Sequence, residues 1–188
     1  MSTRRMAIGA IVLATAVAVT ACSPLGSPPA PPATEVSDTV ANPADRMFVM
    51  MMIPHHEQAI EMAEIILSAS NVSPEVADLA TRIRDAQQPE IDLMEVWLDE
   101  WGMPSMGDMP HDSGMLSEDD VDELRALDGV DLERLFLTGM IEHHEGAIEM
   151  AEDEIAAGAH PDVIALAQAI VVAQTAEIEE MTALLGTR

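Results

Sequence analysis

Two short segments of the chain combine paired histidines with methionines at the same spacing. In each segment a methionine stands three positions before a His-His pair, and another follows six or seven positions after it. The residues of this set are Met52, His55, His56, Met62, Met140, His143, His144 and Met150. Residues three apart lie one turn apart on a helix, so a methionine and the first histidine can bind one ion. Thioether and imidazole together favour Cu(I) and Ag(I), and the imidazoles also suit Cu(II).

Helical periodicity places the histidines on the apolar side of their helices. At 100° per residue, both pairs share a face with Phe, Met and Ala, whereas the neighbouring acids fall on the opposite face. Those acids are Glu57, Glu61, Glu64, Glu145, Glu149 and Glu152. Because buried polar groups cost about 1 kcal/mol or more when unpaired, the inward histidines need partners or an ion.

The helices that follow each histidine pair carry further polar residues toward the same interior. Gln87 and Gln174 lie within apolar stripes, and Glu90 and Glu177 lie on the shoulders of those stripes. We expect these four side chains to contact and orient the histidines without binding the ion themselves. Metal binding is the favoured interpretation, with no residue assigned to catalysis.

Two alternatives remain open. The histidines can form a metal-free structural layer, each bonded to Gln87 or Gln174, with the methionines as adaptable core filler. The chain can also be a di-metal oxidoreductase that uses Glu90, Glu177 and the histidines. The sequence disfavours this second alternative because the Glu-x-x-His motif of ferritin-like di-iron sites does not occur in it.

A loop in the middle of the chain also combines methionines with a histidine. It extends over about 102–116, is rich in Gly, Pro and Ser, and spaces Met103, Met106 and Met109 three apart before His111. Loop methionines have no helical stripe to fill, so we expect a second place where a soft ion is wrapped. An interaction loop that folds over the end of the bundle is the alternative.

The elements that position these residues are four long helices in two repeated hairpins. Segment 47–64 aligns with 135–152 at an offset of 88, and 73–98 aligns with 160–185 at an offset of 87. Helices are expected near 44–69, 74–101, 132–157 and 161–186, with a shorter helix from Ser117. Neither hairpin can cover its apolar stripe alone, so the sequence predicts an all-α four-helix bundle over 43–188, with repeats at about 44–101 and 132–186.

The first residues are typical of a signal peptide for export. Arg4 and Arg5 precede an apolar run that ends in Val19-Thr20-Ala21-Cys22, which is typical of a bacterial lipoprotein signal over 1–21. Cys22 is then lipidated, and a Pro- and Ala-rich linker over 22–42 holds the bundle off the membrane. We therefore expect an exported protein that is lipid-anchored on the extracytoplasmic face of the cell membrane.

Charge and composition exclude some functions. The chain has 34 acidic and 8 basic residues, for a formal charge of -26, which argues against nucleic-acid binding. A single cysteine excludes an intramolecular disulfide framework and a cysteine-rich zinc site. The 15 methionines are therefore the main supply of soft ligands.

The doubled pattern Met-x-x-His-His-x-x-Ala-Ile-x-Met-Ala resembles the bacterial family known as domain of unknown function 305. The resemblance covers about 43–186 and implies a ferritin-like four-helix bundle that is usually exported. Some members are linked to copper or silver binding and tolerance. The resemblance therefore implies copper, as Cu(I) or Cu(II), bound at the Met and His residues of the two motifs for buffering, delivery or tolerance. It also implies exchange with another envelope protein whose identity is unknown.

Overall fold

The computed structural model describes residues 40–104 and 114–187, which form five helices without any strand. The helices are α1 (Pro43–Ser68), α2 (Pro74–Glu100), α3 (Glu118–Ala126), α4 (Gly129–Ala157) and α5 (Pro161–Leu185). The predicted all-α fold is thus confirmed. The signal over 1–21 and most of the linker lie outside the described residues.

Proline and capping residues set most of the helix starts. Proline occupies the first turn of α1, α2 and α5, where its missing N–H has no helical partner to lose. The side chain of Asn42 accepts hydrogen bonds from the N–H groups of Ala44 and Asp45 at the start of α1. Ser117 caps α3 through the N–H of Asp120, at the predicted start.

Helix α4 starts earlier than predicted. We expected a start near residue 132, but the helix begins at Gly129. The carboxylate of Asp128 accepts the N–H of Gly129 at 2.9 Å and caps the helix there. Gly129 has a φ of 60°, which glycine adopts at little cost. The prediction was wrong because this Asp-Gly pair enters the helix directly.

The four long helices form two hairpins that meet along one seam. α1 packs on α2 and α4 packs on α5, and the hairpins associate mainly through α1 and α4, with α3 against both. Among the described helices, α5 is apolar and long enough to cross a membrane, with a mean hydropathy of 1.3. Here it packs along α4 and contributes Val163, Ala167 and Ile170 to the core.

Two apolar clusters fill the bundle, one toward each end. One combines the first halves of α1 and α5 with the second halves of α2 and α4, and the other combines the remaining halves. The helices of each hairpin, and α1 and α4 across the seam, therefore run antiparallel. Fully burying one Leu, Ile, Phe or Met side chain contributes about 1.5–3 kcal/mol to stability. The two clusters therefore fix the positions of the helices on both sides of the level that lies between them.

Acidic residues at the starts of α1 and α4 cap the opposite hairpins. Neither α2 nor α5 has a side-chain cap of its own. Asp45 of α1 accepts the N–H groups of Ala159 at 3.0 Å and His160 at 2.8 Å, just before α5. Glu133 of α4 accepts the N–H of Ser73 just before α2. These buried acids satisfy otherwise orphaned backbone donors and join the hairpins.

Candidate metal centre

The paired histidines lie in a buried polar layer between the two apolar clusters. All four imidazoles are at most 1% exposed, and Gln87 and Gln174 are 3% exposed. The acids predicted to face outward from the same helices are exposed. We call this set the histidine layer: His55, His56, Gln87, Glu90, His143, His144, Gln174 and Glu177. The structure therefore brings the predicted histidines and their predicted partners to one level of the bundle.

Two histidines are each oriented by a glutamate on the neighbouring helix. His56 Nε2 lies 2.8 Å from Glu90 Oε2, and His144 Nε2 lies 2.7 Å from Glu177 Oε2. A carboxylate only accepts, so each Nε2 donates its N–H, and Nδ1 is the nitrogen that holds the lone pair in the neutral form of such an imidazole. Within the described part of the chain, both Nδ1 atoms are buried and have no hydrogen-bond partner. A carboxylate on one imidazole nitrogen, with the other nitrogen left as ligand, is the usual environment of metal-binding histidine.

The first histidines of the two pairs meet at the seam between the hairpins. The ring centroids of His55 and His143 are 3.7 Å apart, with 39° between the ring planes. Burial lowers the pKa of His143 well below its usual range, and the neighbouring imidazoles of His55, His144 and His56 lower it further. His143 is therefore neutral near neutral pH and offers a lone pair to an ion. A backbone contact with His55 opposes this lowering of the pKa, but neither ring nitrogen of His143 makes a hydrogen bond of good geometry among residues 40–104 and 114–187.

The Gln87 amide does not bond to a histidine in the described region. Neither of its polar atoms has a hydrogen-bond partner there, and Oε1 of Gln174 has none either. The contacts of Gln87 therefore do not match the metal-free alternative, in which each histidine bonds to a glutamine. Each unsatisfied buried polar atom costs about 1–3 kcal/mol, so the layer gains from a ligand that these atoms can bind.

The predicted methionine ligands lie in different places. Met52 and Met140 are fully buried, each one helical turn before the first histidine of its pair. They belong to opposite apolar clusters, so one thioether adjoins the histidine layer from each side. Met62 is fully buried in the same cluster as Met140. Met150 is partly buried and lines a groove between α1 and α4.

Part of the predicted loop site lies outside the described residues. Met103 is partly buried against the apolar cluster that contains Trp97 and Leu98. Met106, Met109 and His111 are not among the described residues, and neither is Cys22. The loop site and the lipid anchor therefore stay predictions.

The ligand types that lie together bear on the choice of ion. Within residues 40–104 and 114–187, no three side chains among His, Cys, Asp and Glu are gathered so as to hold a metal ion by themselves. Ferritin-like di-metal sites are built from such groups, with bridging carboxylates. A centre in the histidine layer that uses imidazole together with thioether ligands is the better match.

The sequence did not reveal a buried acid pair formed by Asp45 and Glu154. Burial raises the pKa of Glu154 to about 8, and a hydrogen bond with Asp45 and the charge of Asp45 add to this effect. Burial also acts to raise the pKa of Asp45, but hydrogen bonds from His160, Asn42, Glu154 and Ala159 outweigh it and lower that pKa. The signals available were Glu154 on the apolar face of α4 and an α5 start without a capping residue.

Solved structures of similar sequence share this fold. A DUF305 fragment from Deinococcus radiodurans is 36% identical, with a TM-score of 0.73 over 79% of this chain and 99% of that one. A DUF305 protein from Streptomyces coelicolor, named as a predicted secreted protein, is 33% identical, with a TM-score of 0.71 over 77% and 91% of the two chains. CopM in its Cu(I)-bound form is 31% identical, with a TM-score of 0.65 over 76% and 96%. CopM has also been solved in Ag-bound, Cu(II)-bound and apo forms.

The family assignment covers both hairpins. No curated protein matches the chain. The family described as domain of unknown function (DUF305) matches residues 45–185, a range that contains the whole histidine layer. The chain therefore belongs to the DUF305 family.

Proposed function

We propose that this protein binds Cu(I) or Ag(I) in the histidine layer and serves to buffer, deliver or tolerate these ions in the bacterial envelope. One observation carries the proposal. His56 and His144 each have one ring nitrogen on a glutamate and the other buried without a hydrogen-bond partner among the described residues. Two such imidazoles in one apolar interior are costly unless an ion binds them.

The layer offers two matching sets of ligands. Met52 with His55, and Met140 with His143, each provide a thioether and an imidazole one turn apart. His56 and His144 add one buried Nδ1 on each side. Copper binding by a relative supports the choice of ion, because CopM at 31% identity has been solved with Cu(I), Cu(II) and Ag.

The charges around the layer suit a monovalent cation. A buried ion needs nearby opposite charge, because transfer from water to the interior is costly. Glu90 and Glu177 provide one carboxylate for each half of the layer and are only partly exposed. Two monovalent ions are thus balanced by two carboxylates that act through His56 and His144. The formal charge of -26 attracts cations to the surface as well.

A competition titration with a Cu(I) chelator tests the proposal on purified protein. Replacing both His56 and His144 by Ala should weaken Cu(I) binding at least tenfold, because both buried Nδ1 ligands are lost. His160→Ala is the matched control, since His160 lies at the α4–α5 turn outside the layer. Unchanged Cu(I) affinity in the folded double variant would contradict the proposal.

Glu90 and Glu177 provide a finer variant of the same experiment. Replacing both by Gln keeps the size of each side chain but removes the charge that orients and polarises the imidazoles. Cu(I) affinity should fall, and less than in the double histidine variant. The di-metal oxidoreductase alternative predicts instead that Fe(II) loads and supports peroxide-dependent turnover. An Fe(II) titration with a turnover assay separates the two functions.

The lipid anchor is a second part of the proposal. The apolar run after Arg4 and Arg5, followed by Val19-Thr20-Ala21-Cys22, supports export and lipidation at Cys22. Cys22→Ala should move the protein from the membrane fraction to the soluble fraction of the envelope. Membrane retention of this variant would show that another feature holds the protein there.

A further inference from the structure

An open groove between α1 and α4 is lined by three methionines. The groove has a volume of about 560 Å3 and lies at the end of the bundle where α1 starts and α4 ends. Three of the residues that line it are Met47, Met51 and Met150. Met47 is 54% exposed, and the other two are only partly buried. Met150 also packs against the apolar cluster that contains Phe48, whereas Met47 and Met51 belong to neither apolar cluster. Core packing therefore does not explain why methionine occupies positions 47 and 51.

The repeat-related face at the other end of the α1–α4 seam is not an open groove, because another segment of the chain packs on it. An offset of 88 relates Met47 to Leu135 and Met51 to Gly139. There the segment before α3 covers the seam, and a side-chain carbon at Gly139 would lie 3.2 Å from Leu116 Cδ2. The Gln58 side chain accepts the backbone N–H of Leu116 at 2.8 Å and donates to its C=O at 2.9 Å. One face is thus covered by the chain itself, whereas no residue within 40–104 or 114–187 covers the other, which carries thioethers.

Carboxylates line the open groove beside the thioethers. Glu149 and Asp153 are exposed on α4. Met47 and Met51 are one turn apart on α1, and Met150 faces them from α4, so three thioethers from two helices share one opening. Soft monovalent ions prefer thioether ligands, and nearby carboxylates raise the local cation concentration and balance the bound charge.

We infer that Met47, Met51 and Met150 form a second soft-metal site in this groove, separate from the histidine layer and accessible from solvent. The ion class is the one of the proposed function, so the inference rests on that proposal for the choice of Cu(I) or Ag(I). It assigns Met150 to the surface groove rather than to the buried centre. An accessible site of this kind receives ions from solution or from a partner, whereas the histidine layer is closed to solvent.

Silver stoichiometry tests the second site without redox chemistry. Native mass spectrometry of the full chain with added Ag(I) should show one equivalent fewer for the triple variant Met47→Leu, Met51→Leu, Met150→Leu. Leucine keeps the apolar volume and removes the sulfur, so the fold is retained. Met50→Leu is the matched control, because Met50 lies on the same helix but does not line the groove. An unchanged silver count in the triple variant would overturn the inference.

A second measurement separates this inference from the histidine layer. In protein labelled with 13C at the methionine methyl groups, one equivalent of Ag(I) should shift the signals of the three groove methionines even when His56 and His144 are both Ala. Absence of shifts in that background would overturn the groove site and leave the histidine layer standing. Shifts there, together with an unchanged total count for the histidine variant, would support the groove and contradict the proposed function.

Discussion

The imidazole rings of His55 and His143 lie 3.7 Å apart, centroid to centroid, across the seam between the two hairpins. They occupy the same position in the two halves of the chain, at an offset of 88. A close contact between two buried, ionisable rings is tolerated only when at least one of them is neutral, and the lowered pKa of His143 is consistent with that. The association of the hairpins therefore brings two imidazoles together in the interior, and that of His143 is uncharged near neutral pH.

Replacement of His143 by Leu should separate stability from metal binding. Neither ring nitrogen of His143 makes a hydrogen bond of good geometry in the described residues, and the ring has only a backbone contact with His55. An apolar side chain therefore removes a poorly satisfied polar group. We expect the metal-free protein to be unchanged or about 1 kcal/mol more stable in urea unfolding, whereas Cu(I) affinity falls at least tenfold. Leu137→Ala, at a fully buried apolar position, should cost about 2–5 kcal/mol in the same assay. A comparable loss for His143→Leu would mean that this histidine is structural.

Asp45→Ala should weaken the junction between α1 and the α4–α5 turn. The Asp45 carboxylate accepts three backbone N–H groups, from Asn42, Ala159 and His160. Their loss should lower the free energy of unfolding by about 2–3 kcal/mol. Because the pKa of Asp45 is lowered in the folded protein, its stabilising effect is present above the ordinary aspartate pKa of 3.8 and is lost as the pH falls through the lower folded pKa.

Asp99→Ala is the control for Asp45→Ala, since Asp99 is an exposed aspartate near the end of α2. Denaturant unfolding at pH 7 measures both variants. Equal stability of the two would show that the cross-hairpin cap contributes nothing.

Glu154→Gln should make the protein more stable at alkaline pH. The pKa of Glu154 is about 8 in the folded protein against 4.5 for an ordinary glutamate. The folded state therefore binds the proton more tightly, and the contribution of this group to stability is full below pH 4.5 and is lost as the pH rises through about 8. Glutamine avoids that loss, so we expect a gain of roughly 2–5 kcal/mol at pH 8 and little change at pH 4.

Unfolding curves of the wild type, Glu154→Gln and the exposed control Glu152→Gln at the two pH values check this dependence. The gain should be specific to Glu154. A gain of the same size at both pH values would indicate that charge at Glu154 is not the cause.

Local signals in the sequence predicted much of the fold and the orientation of the histidines. Proline at the starts of α1, α2 and α5 marks those helices, and helical periodicity alone turns His56 and His144 inward. The start of α4 was missed because an Asp-Gly pair looks like a turn and here begins a helix at Gly129. Prediction is reliable where neighbouring residues decide the conformation.

Contacts between the hairpins could not be predicted in this way. The acid pair of Asp45 and Glu154 joins residues far apart in the chain, and each alone looks like an ordinary helix acid. The open groove at Met47 also depends on which side of the seam the α3 segment covers. Both features follow from how the two hairpins associate, which periodicity within one helix does not encode.

X-ray absorption at the copper edge of Cu(I)-loaded protein tests the central claim most directly, because it identifies the donor atoms. If copper binds in the histidine layer, the atoms coordinated to it in the wild type are imidazole nitrogen and thioether sulfur. The imidazole contribution should fall sharply when both His56 and His144 are Ala, and remain in the His160→Ala control. A shell of oxygen donors alone, or an imidazole signal unchanged in the double variant, would contradict copper binding in the histidine layer.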